Sequence, residues 1–193
     1  MTLAGKGYIV TGASRESAWQ LSRSSLPAEH PSGLVHFHCG VDVSSRGQVT
    51  KTFDAILTHG LENHGLANSA GIAPDNLHAL NHRPEPDEIF CRVLEVNLYG
   101  TWYVGSAYLN NLLHHLSRGD CHPGRSIVNL ASASVLRTEP GMASYNTSKH
   151  AVVGLTMSWA KDFVGRGDRV NCVAPSMTDT PLVRQATLPP GLM

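Results

Sequence analysis

The sequence has no excess of charge of either sign and no long hydrophobic run. Lysine and arginine together number 15, and so do aspartate and glutamate, so no basic field exists to attract nucleic acid or an anionic membrane. No apolar stretch approaches the length that crosses a bilayer, and the first ten residues, MTLAGKGYIV, lack the apolar core of a signal peptide. We therefore expect a cytoplasmic protein with no nucleic-acid or membrane partner.

Cysteine is scarce, and its positions lack the spacing of a metal site. The four cysteines are Cys39, Cys91, Cys121 and Cys172. Because they are scattered, we interpret them as reduced core thiols of a cytosolic protein, ahead of disulfides or zinc ligands. His36 and His38 alternate along one apolar run, but no third ligand accompanies them, so we predict a strand face and no metal site there.

The sequence does contain short apolar runs that alternate with helical patterns. Five runs are predicted strands: Gly7–Thr11, Leu34–Cys39, Leu66–Ser69, Ser126–Leu130 and Arg169–Val173. Four stretches are predicted helices, around Glu16–Ser24, Arg46–Thr58, Ile89–Ser117 and Ser144–Val164. This alternation predicts an α/β fold, with a parallel sheet of about five strands covered by helices on both faces. At 193 residues and 41% hydrophobic, residues 1–193 suit a single domain, in which Leu34–Cys39 should pair beside Gly7–Thr11.

A tyrosine and a lysine that follow the fourth predicted strand have the spacing of a proton-transfer pair. Tyr145 and Lys149 are four residues apart in a helical stretch, so they lie one turn apart on the same face. An ammonium group within reach favours the ionised form of a phenol, which makes tyrosine usable for proton transfer at neutral pH. Ser132 stands at the end of the predicted strand Ser126–Leu130, at the carboxyl edge where open α/β sheets place their ligands. Taken alone, such a pair is more often a solvated helix face than a site.

Further motifs accompany this pair in a fixed order. Thr11 and Gly12 close the first strand, Asp42-Val43 precedes a helix, Asn68-Ser69-Ala70-Gly71 follows a strand, and Asn97 lies in VLEVNLYGT. The segment RVNCVAPSMTDTPLV contains Pro175, Thr178 and Thr180. Together with Ser132, Tyr145 and Lys149, this set resembles the short-chain dehydrogenase/reductase family from Thr2 to about Val183. The resemblance implies a Rossmann-like, dinucleotide-binding domain.

The resemblance implies a role for each residue of a catalytic set: Asn97, Ser132, Tyr145 and Lys149. Tyr145 would exchange a proton with the substrate oxygen, and Lys149 would lower the pKa of Tyr145 and hold the nicotinamide ribose. Ser132 would hydrogen-bond the carbonyl or hydroxyl group being converted. Asn97 would help position a water that leads protons away through Lys149. Hydride transfer itself belongs to the cofactor.

The resemblance also implies a nicotinamide cofactor, NADP, with NAD as the alternative. The implied cofactor-binding residues are Gly12, Ser14, Arg15, Ser17, Asp42, Val43, Asn68, Ala70, Gly71, Tyr145, Lys149, Pro175, Thr178 and Thr180. Arg15 stands where members that prefer the phosphorylated cofactor carry a base. Small residues at Ala70 and Gly71 would let the backbone approach the ribose closely.

Three departures from the family pattern bear on activity. Glu16 and Ala18 replace the later glycines of the phosphate loop, and we expect Glu16 to weaken phosphate binding because it adds bulk and negative charge. If Glu16 faces solvent instead, it is a first-turn acid of its helix. By the resemblance, Leu34–Cys39 matches the family's third strand, and one helix–strand unit is missing before it, as in a member shortened near its N-terminus. Counted along the chain alone, Leu34–Cys39 is the second strand, and Asp42 lies on the adenine side of the cofactor in either account. The chain ends at LPPGLM, where the resemblance implies a covering helix and a last strand, so we expect an open cleft or one that borrows a partner's surface.

These features predict an oxidoreductase that interconverts a secondary alcohol and a ketone of modest size with NADP. Two alternatives stay open: a non-redox isomerase or cyclase that reuses Tyr145 and Lys149, and a regulatory or binding relative with weak cofactor binding. Family members often associate through the helices that match Ile89–Ser117 and Ser144–Val164, so the resemblance implies a homodimer or homotetramer.

Overall fold

A computed structural model of the protein describes residues 7–12, 40–58, 63–74, 83–117, 124–180 and 182–183. Within these ranges the strands are β1 (Gly7–Thr11), β2 (Asn63–Asn68), β3 (Ser126–Leu130) and β4 (Arg169–Val173). They form one parallel sheet in the order β1-β2-β3-β4. The α-helices are α1 (Arg46–Thr58), α2 (Asp87–Leu94), α3 (Gly100–Ser117) and α4 (Ala143–Phe163). Helices in the connections are what parallel neighbouring strands require.

One row of apolar side chains crosses the sheet and supports the core. The row, paired in register, consists of Ile9, Leu66, Ile127 and Val170. Residues in register on neighbouring strands share a face of the sheet. This face packs against side chains from three helices, among them Phe53, Val104, Tyr108 and Trp159. Burial of the row holds α1, α3 and α4 against the same side of the sheet.

A polar row follows two residues further along the strands and fixes α4 to the sheet. Asn68 Nδ2 donates to Asn129 Oδ1 at 2.9 Å, and Asn129 Nδ2 donates to Thr156 Oγ1 in α4, also at 2.9 Å. All three residues are buried, and buried amides must be hydrogen-bonded to be tolerated. The chain of amides therefore sets the position of α4 relative to the carboxyl ends of β2 and β3.

The long helical stretch between β2 and β3 is interrupted by a π-helical turn. The predicted helix Ile89–Ser117 begins earlier, at Asp87, and splits into α2 and α3 around the π turn Glu95–Tyr99. Asp87 and Glu88 occupy the first turn of α2, where negative charge is favourable. Single π turns inside α-helices often mark functional positions, and Asn97 lies in the middle of this one.

Packing between α3 and α4 depends on a glycine. A side chain at Gly105 would overlap the indole ring of Trp159 in α4. Trp102, one turn before Gly105, stacks on the same indole with ring centroids 5.6 Å apart. The missing Cβ lets the two helices approach closely, and the aromatic pair fills the remaining space.

The α/β class and the parallel sheet predicted from the sequence are confirmed, with shifted boundaries. β2 spans Asn63–Asn68, whereas Leu66–Ser69 was expected, and α4 begins at Ala143. The predicted strand Leu34–Cys39 and the predicted helix Glu16–Ser24 lie outside the described residues, so their placement stays a prediction. None of the helices in the described ranges is both long and apolar enough to cross a bilayer.

The interpretation of the cysteines as core thiols is wrong for one of them. Cys91 is exposed on α2, whereas Val93, two residues further, is the buried position of that helix. Residues two apart point to nearly opposite sides of an α-helix, so Cys91 faces solvent. Cys172 is half-buried on β4, and both thiols are free. Cys39 and Cys121 lie outside the described residues.

Candidate active site

Four predicted site residues meet at the carboxyl edge of the sheet. A Cβ placed on Gly71, just after β2, would lie 3.3 Å from Asn97 Oδ1 and 3.5 Å from Lys149 Nζ. Lys149 Nζ is 5.6 Å from the centroid of the Tyr145 ring, and the Ser132 side chain lies close enough to the Tyr145 phenol to act on its pKa. The structure thus brings Asn97, Ser132, Tyr145 and Lys149 to the place where open α/β sheets bind ligands.

Lys149 is a buried lysine at the centre of this group. Only 5% of the residue is exposed, and its Nζ donates to the carbonyl oxygen of Leu130 at the end of β3, at 2.8 Å. Burial disfavours the ammonium form and lowers the pKa of Lys149 from an ordinary 10.5 to about 8. The side chain can therefore exchange a proton close to neutral pH.

Tyr145 is also withdrawn from solvent, and this changes its acidity in the opposite direction. Burial raises the pKa of Tyr145, and the side-chain hydrogen bond with Ser132 opposes the rise. The net direction differs from the expectation that Lys149 lowers the pKa of Tyr145. Burial disfavours the phenolate, and by lowering the pKa of Lys149 it also reduces the fraction of that lysine that carries a positive charge. Tyr145 therefore rests as a neutral phenol, the form that donates a proton.

Ser132 stands two residues beyond β3, where the chain turns. Its backbone is extended, and its Oγ accepts the backbone N–H of Ser134 at 3.2 Å, capping the 3₁₀ turn Ala133–Val135. The β3–β4 ladder continues past the strand ends, because the N–H groups of Ala131 and Ala133 donate to the carbonyls of Val173 and Pro175, each at 2.8 Å. The backbone on both sides of Ser132 is fixed by hydrogen bonds to β4 and the segment after it, and its Oγ is fixed by the N–H of Ser134. These bonds set the position of the hydroxyl on the side of Tyr145.

Asn97 links the segment after β2 to α4. Its Oδ1 accepts the backbone N–H of Ile72 at 2.8 Å, and its Nδ2 donates to the Ile72 carbonyl at 2.9 Å and to Ser148 Oγ at 3.0 Å. Asn97 is almost fully buried, and both of its amide protons are used. Asn97 therefore has a direct structural role, and the water that the resemblance implied stays a prediction.

The end of β1 contacts the segment after β2 through Thr11 and Gly12. Thr11 Oγ1 accepts the N–H groups of Ser69 and Ala70 at 3.1 and 3.3 Å. Gly12 has a positive φ of 76°, and a Cβ there would lie 2.7 Å from the Ala70 nitrogen, so only glycine fits. The turn motif in the sequence includes Thr11, but no pattern in the sequence predicts the hydrogen bonds from Ser69 and Ala70 to its hydroxyl.

Asp42 lies in an ion-pair network on the α1 side of the site. Its Oδ1 accepts from the backbone N–H of Ser44 at 2.9 Å and from Ser44 Oγ at 2.7 Å, and its Oδ2 lies 3.7 Å from Arg92 Nη2. The hydrogen bonds from Ser44 are the main cause that lowers the pKa of Asp42. Val43 packs against Gly100, where a Cβ would lie 2.8 Å from Val43 Cγ2. Sequence reasoning missed Arg92, which no motif marks.

The other implied cofactor residues are only partly described. Asn68 is buried in the amide chain described above, and its Oδ1 has no partner among the described residues. After β4, Thr178 is exposed and donates to the Ser176 carbonyl at 3.1 Å, and Thr180 Oγ1 accepts the N–H of Val183 at 3.3 Å. Ser14, Arg15 and Ser17 lie outside the described residues, as do Glu16, His36 and His38.

A metal centre is not built by the part of the chain that the structure describes. No three His, Cys, Asp or Glu side chains come together there.

Sequence comparisons identify the family of this fold and site. A family model described as enoyl-(acyl carrier protein) reductase matches residues 2–192. A short-chain dehydrogenase/reductase of Pyricularia oryzae is 32% identical over 206 residues, covering 96% of this chain and 73% of that protein. The chain belongs to the short-chain dehydrogenase/reductase family. A family relative named chanoclavine-I dehydrogenase, from Claviceps purpurea, is 38% identical over 169 residues, covering 84% of this chain; the match spans 61% of that relative's length.

Two solved structures share the short-chain dehydrogenase/reductase fold with this chain. Aldohexose dehydrogenase of Thermoplasma acidophilum, in ligand-free form, has a TM-score of 0.76 at 30% identity, covering 95% of this chain and 71% of that one. A short-chain dehydrogenase of Burkholderia cenocepacia in complex with NADP has a TM-score of 0.76 at 23% identity, covering 98% and 79%. The Rossmann-like fold that the sequence resemblance implied is therefore confirmed.

Proposed function

We propose that this protein is an NAD(P)-dependent oxidoreductase that interconverts a secondary alcohol and a ketone, with Tyr145 as the proton donor and acceptor. The observation that carries the proposal is the meeting of Ser132, Tyr145 and the buried Lys149 beside Gly71. The relatives from Pyricularia and Claviceps, which carry dehydrogenase names, support the same reaction class. Their substrates belong to those proteins, and the substrate proposed here is defined only by its carbonyl chemistry.

The residues at the carboxyl edge fit a nicotinamide cofactor. Lys149 Nζ donates one hydrogen bond, to Leu130, so an ammonium group keeps two further N–H donors that suit ribose hydroxyls. The space in front of Gly71 would be filled by any Cβ, and Gly12 brings no side chain to the edge where it packs against the backbone of Ala70. Tyr145 and Lys149 would hold the nicotinamide ribose, and the bound cofactor would supply or accept the hydride.

Proton transfer in this proposal belongs to the chain's own side chains. Tyr145, a neutral phenol at rest, donates its proton to the substrate oxygen during ketone reduction and takes it back during alcohol oxidation. Ser132 Oγ donates a hydrogen bond to the same oxygen and stabilises the charge that develops there. Lys149, whose pKa is about 8, offsets the charge of the phenolate and returns a proton to it.

Cofactor preference is part of the proposal, with NADP ahead of NAD. Arg15 in the sequence and the NADP found in the Burkholderia structure support this choice. The test is titration of the purified protein with NADPH and, separately, with NADH, followed by nucleotide fluorescence. We expect the lower Kd for NADPH. Binding of both without reduction of any ketone would favour an isomerase or cyclase, and absence of binding would favour a regulatory protein.

Replacing Tyr145 tests the catalytic role directly. In Tyr145→Phe we expect the rate of ketone reduction to fall by about 100-fold or more, because the proton donor is gone, while the Kd for NADPH changes little. Tyr99→Phe is the matched control, since this exposed tyrosine lies outside the proposed proton path. Full activity in Tyr145→Phe would contradict the proposal.

The proposal includes a homodimer or homotetramer that associates through α3 and α4, and a cytoplasmic location. Tyr99, Trp102 and Met157 are large, apolar and exposed on these helices and the adjoining π turn, which supports association there. The free thiols Cys91 and Cys172 support a reducing compartment.

A further inference from the structure

Glu85 makes a contact that no motif in the sequence signals. It stands between Pro84 and Pro86, directly before α2. Its Oε2 accepts a hydrogen bond of 2.9 Å from the backbone N–H of Ser144, a residue 59 positions away in the chain. The carboxylate therefore joins the segment before α2 to the first turn of the helix that carries Tyr145 and Lys149.

The first turn of α4 has no side-chain cap of its own. Met142 is the N-cap residue and makes no side-chain hydrogen bond, although the first N–H groups of an α-helix have no acceptor within the helix. Ser144 is the second residue of α4, so Glu85 supplies the acceptor that an N-cap side chain normally supplies. Its negative charge also favours this end of the helix dipole.

The flanking prolines restrict the segment that carries Glu85. Proline fixes its own φ, and a residue that precedes proline is kept out of the helical region. Pro86 has φ −57° and ψ 142°, an extended conformation that delivers the chain into α2. Because the segment has few conformations in the unfolded chain, less entropy is lost when the carboxylate reaches Ser144.

The contact is also shielded from water. Ser144 is fully buried, and Glu85 Oε1 and Ser144 Oγ are buried atoms with no hydrogen-bond partner among the described residues. Electrostatic interactions are stronger where water is excluded, and an unpaired polar group there is costly. Loss of the Glu85 acceptor would therefore leave the N–H of the buried Ser144 unpaired, which costs more than the loss of an exposed surface contact.

Tyr145 lies between this attachment and a second one. Ser148 Oγ donates to the Tyr145 carbonyl at 2.8 Å and accepts from Asn97 Nδ2 at 3.0 Å. Glu85 thus holds the backbone directly before Tyr145, and Asn97 holds the backbone turn directly after it. The direction of the phenol toward Ser132 depends on both.

We propose that Glu85 is a positioning residue, which sets the place of the Tyr145 phenol relative to Ser132 through the backbone of Ser144. The inference rests on the proposed role of Tyr145 in proton transfer. Misplacement of a reacting group by about 1 Å can lower a rate by about 100-fold. Glu85 contacts the first turn of α4, so its loss changes the proton-transfer step more than the affinity for cofactor.

Three substitutions separate positioning from general stability. Glu85→Ala removes the acceptor, Glu85→Asp withdraws it by one methylene but keeps the charge, and Glu85→Gln keeps an oxygen acceptor at the same reach. We expect kcat to fall by about 10- to 100-fold in the Ala and Asp variants, with little change in KM or in the Kd for NADPH. Glu85→Gln should restore most of kcat. Glu88→Ala, which removes an exposed acid in the first turn of α2, is the control and should keep wild-type kcat.

A spectroscopic measurement tests the same inference without any substrate. The chain has five tyrosines, so NMR of protein with isotope-labelled tyrosine rings gives a resonance for Tyr145, identified by its loss in Tyr145→Phe. This resonance should move in the Ala and Asp variants and stay near its wild-type position in Glu85→Gln. If Glu85→Ala does not fold, Glu85→Asp carries the test.

The outcomes distinguish this inference from the proposed function. Unchanged kcat in Glu85→Asp together with an inactive Tyr145→Phe, or an unmoved Tyr145 resonance, would overturn the positioning role alone. Full activity in Tyr145→Phe would overturn the proposed function, and the resonance would still decide whether Glu85 positions the ring.

Discussion

At the scale of single residues, burial determines the acid-base properties of the site. Lys149 and Tyr145 are both withdrawn from water, and burial moves each pKa toward the neutral form: downward to about 8 for Lys149 and upward for Tyr145. Near neutral pH the phenol of Tyr145 is neutral while Lys149 still carries its proton, so in the proposed reaction Lys149 can return a proton to Tyr145 after the phenol has given its own away. The same burial makes Lys149 unfavourable for folding, because its charged form is the more stable one in water.

Lys149→Met should therefore stabilise the fold while it removes activity. Methionine keeps much of the apolar stem, and removing the buried charge should raise the free energy of unfolding at pH 7 by about 1–2 kcal/mol. Loss of the hydrogen bond to Leu130 offsets part of the gain. Urea unfolding of both proteins measures the difference, and a ketone-reduction assay measures the loss of activity.

The pH dependence of this gain has a definite sign. Below about pH 8 Lys149 is protonated in both the folded and unfolded states, so the whole burial penalty is present. Between about 8 and 10.5 the unfolded state keeps the proton that the folded state has lost, so wild-type stability rises with pH. The advantage of Lys149→Met should shrink across this window, whereas the effect of Lys161→Met, on the exposed side of α4, should not. An advantage that is constant with pH would contradict the burial of charge.

At the scale of elements, α4 is the scaffold on which the site depends. It carries Tyr145 and Lys149, contacts the sheet through Thr156 and Asn129, and packs on α3 where Trp159 meets Gly105. These contacts hold the helix from several sides. This matters for the site because the proposed catalytic groups stand on the first two turns of α4, and unsupported helix ends fray.

Two helical glycines in α3 and α4 should respond to alanine in opposite ways. At Gly105 a Cβ would overlap Trp159, whereas at Gly154 in α4 nothing lies within 4 Å. We expect Gly105→Ala to lower the free energy of unfolding by about 1–3 kcal/mol through overpacking. Gly154→Ala should raise it by about 0.5–1 kcal/mol, because alanine favours the helix. Thermal or urea unfolding measures both, and equal signs would show that the α3–α4 contact is looser than described.

At the scale of the whole molecule, the described residues leave large apolar side chains exposed on α3, α4 and the π turn. Tyr99 is 48% exposed, Trp102 42% and Met157 59%, and the exposed Trp102 stacks on the buried Trp159. Large apolar side chains left exposed on neighbouring elements favour association with another chain.

A charge introduced on this surface should separate the subunits. We expect the wild-type protein to sediment as a dimer or tetramer and Met157→Arg to shift it toward the monomer, since an unpaired charge in an interface is costly. Met177→Arg is the control, because Met177 is exposed after β4 and lies on neither helix. A monomeric wild-type protein, or an unchanged mass in Met157→Arg, would contradict association through α3 and α4.

The sequence by itself determined what depends on local pattern. Apolar runs and helical spacing predicted the α/β class, and the fold class and family are confirmed. The four-residue spacing of Tyr145 and Lys149 predicted that they share a helix face, because an α-helix repeats every 3.6 residues. The helix–strand alternation and the resemblance also predicted that Ser132 would lie at the carboxyl edge with them.

Only the tertiary structure decided what depends on contacts between distant segments. No local sequence pattern predicts three of these features: the bond between Glu85 and Ser144, the contact of Thr11 with Ala70, and the π turn around Asn97. The direction of the pKa of Tyr145 also differed from expectation, since desolvation depends on how many groups from other elements cover the phenol. Spacing along the chain sets which residues share an element, but burial is set by the packing of elements against one another.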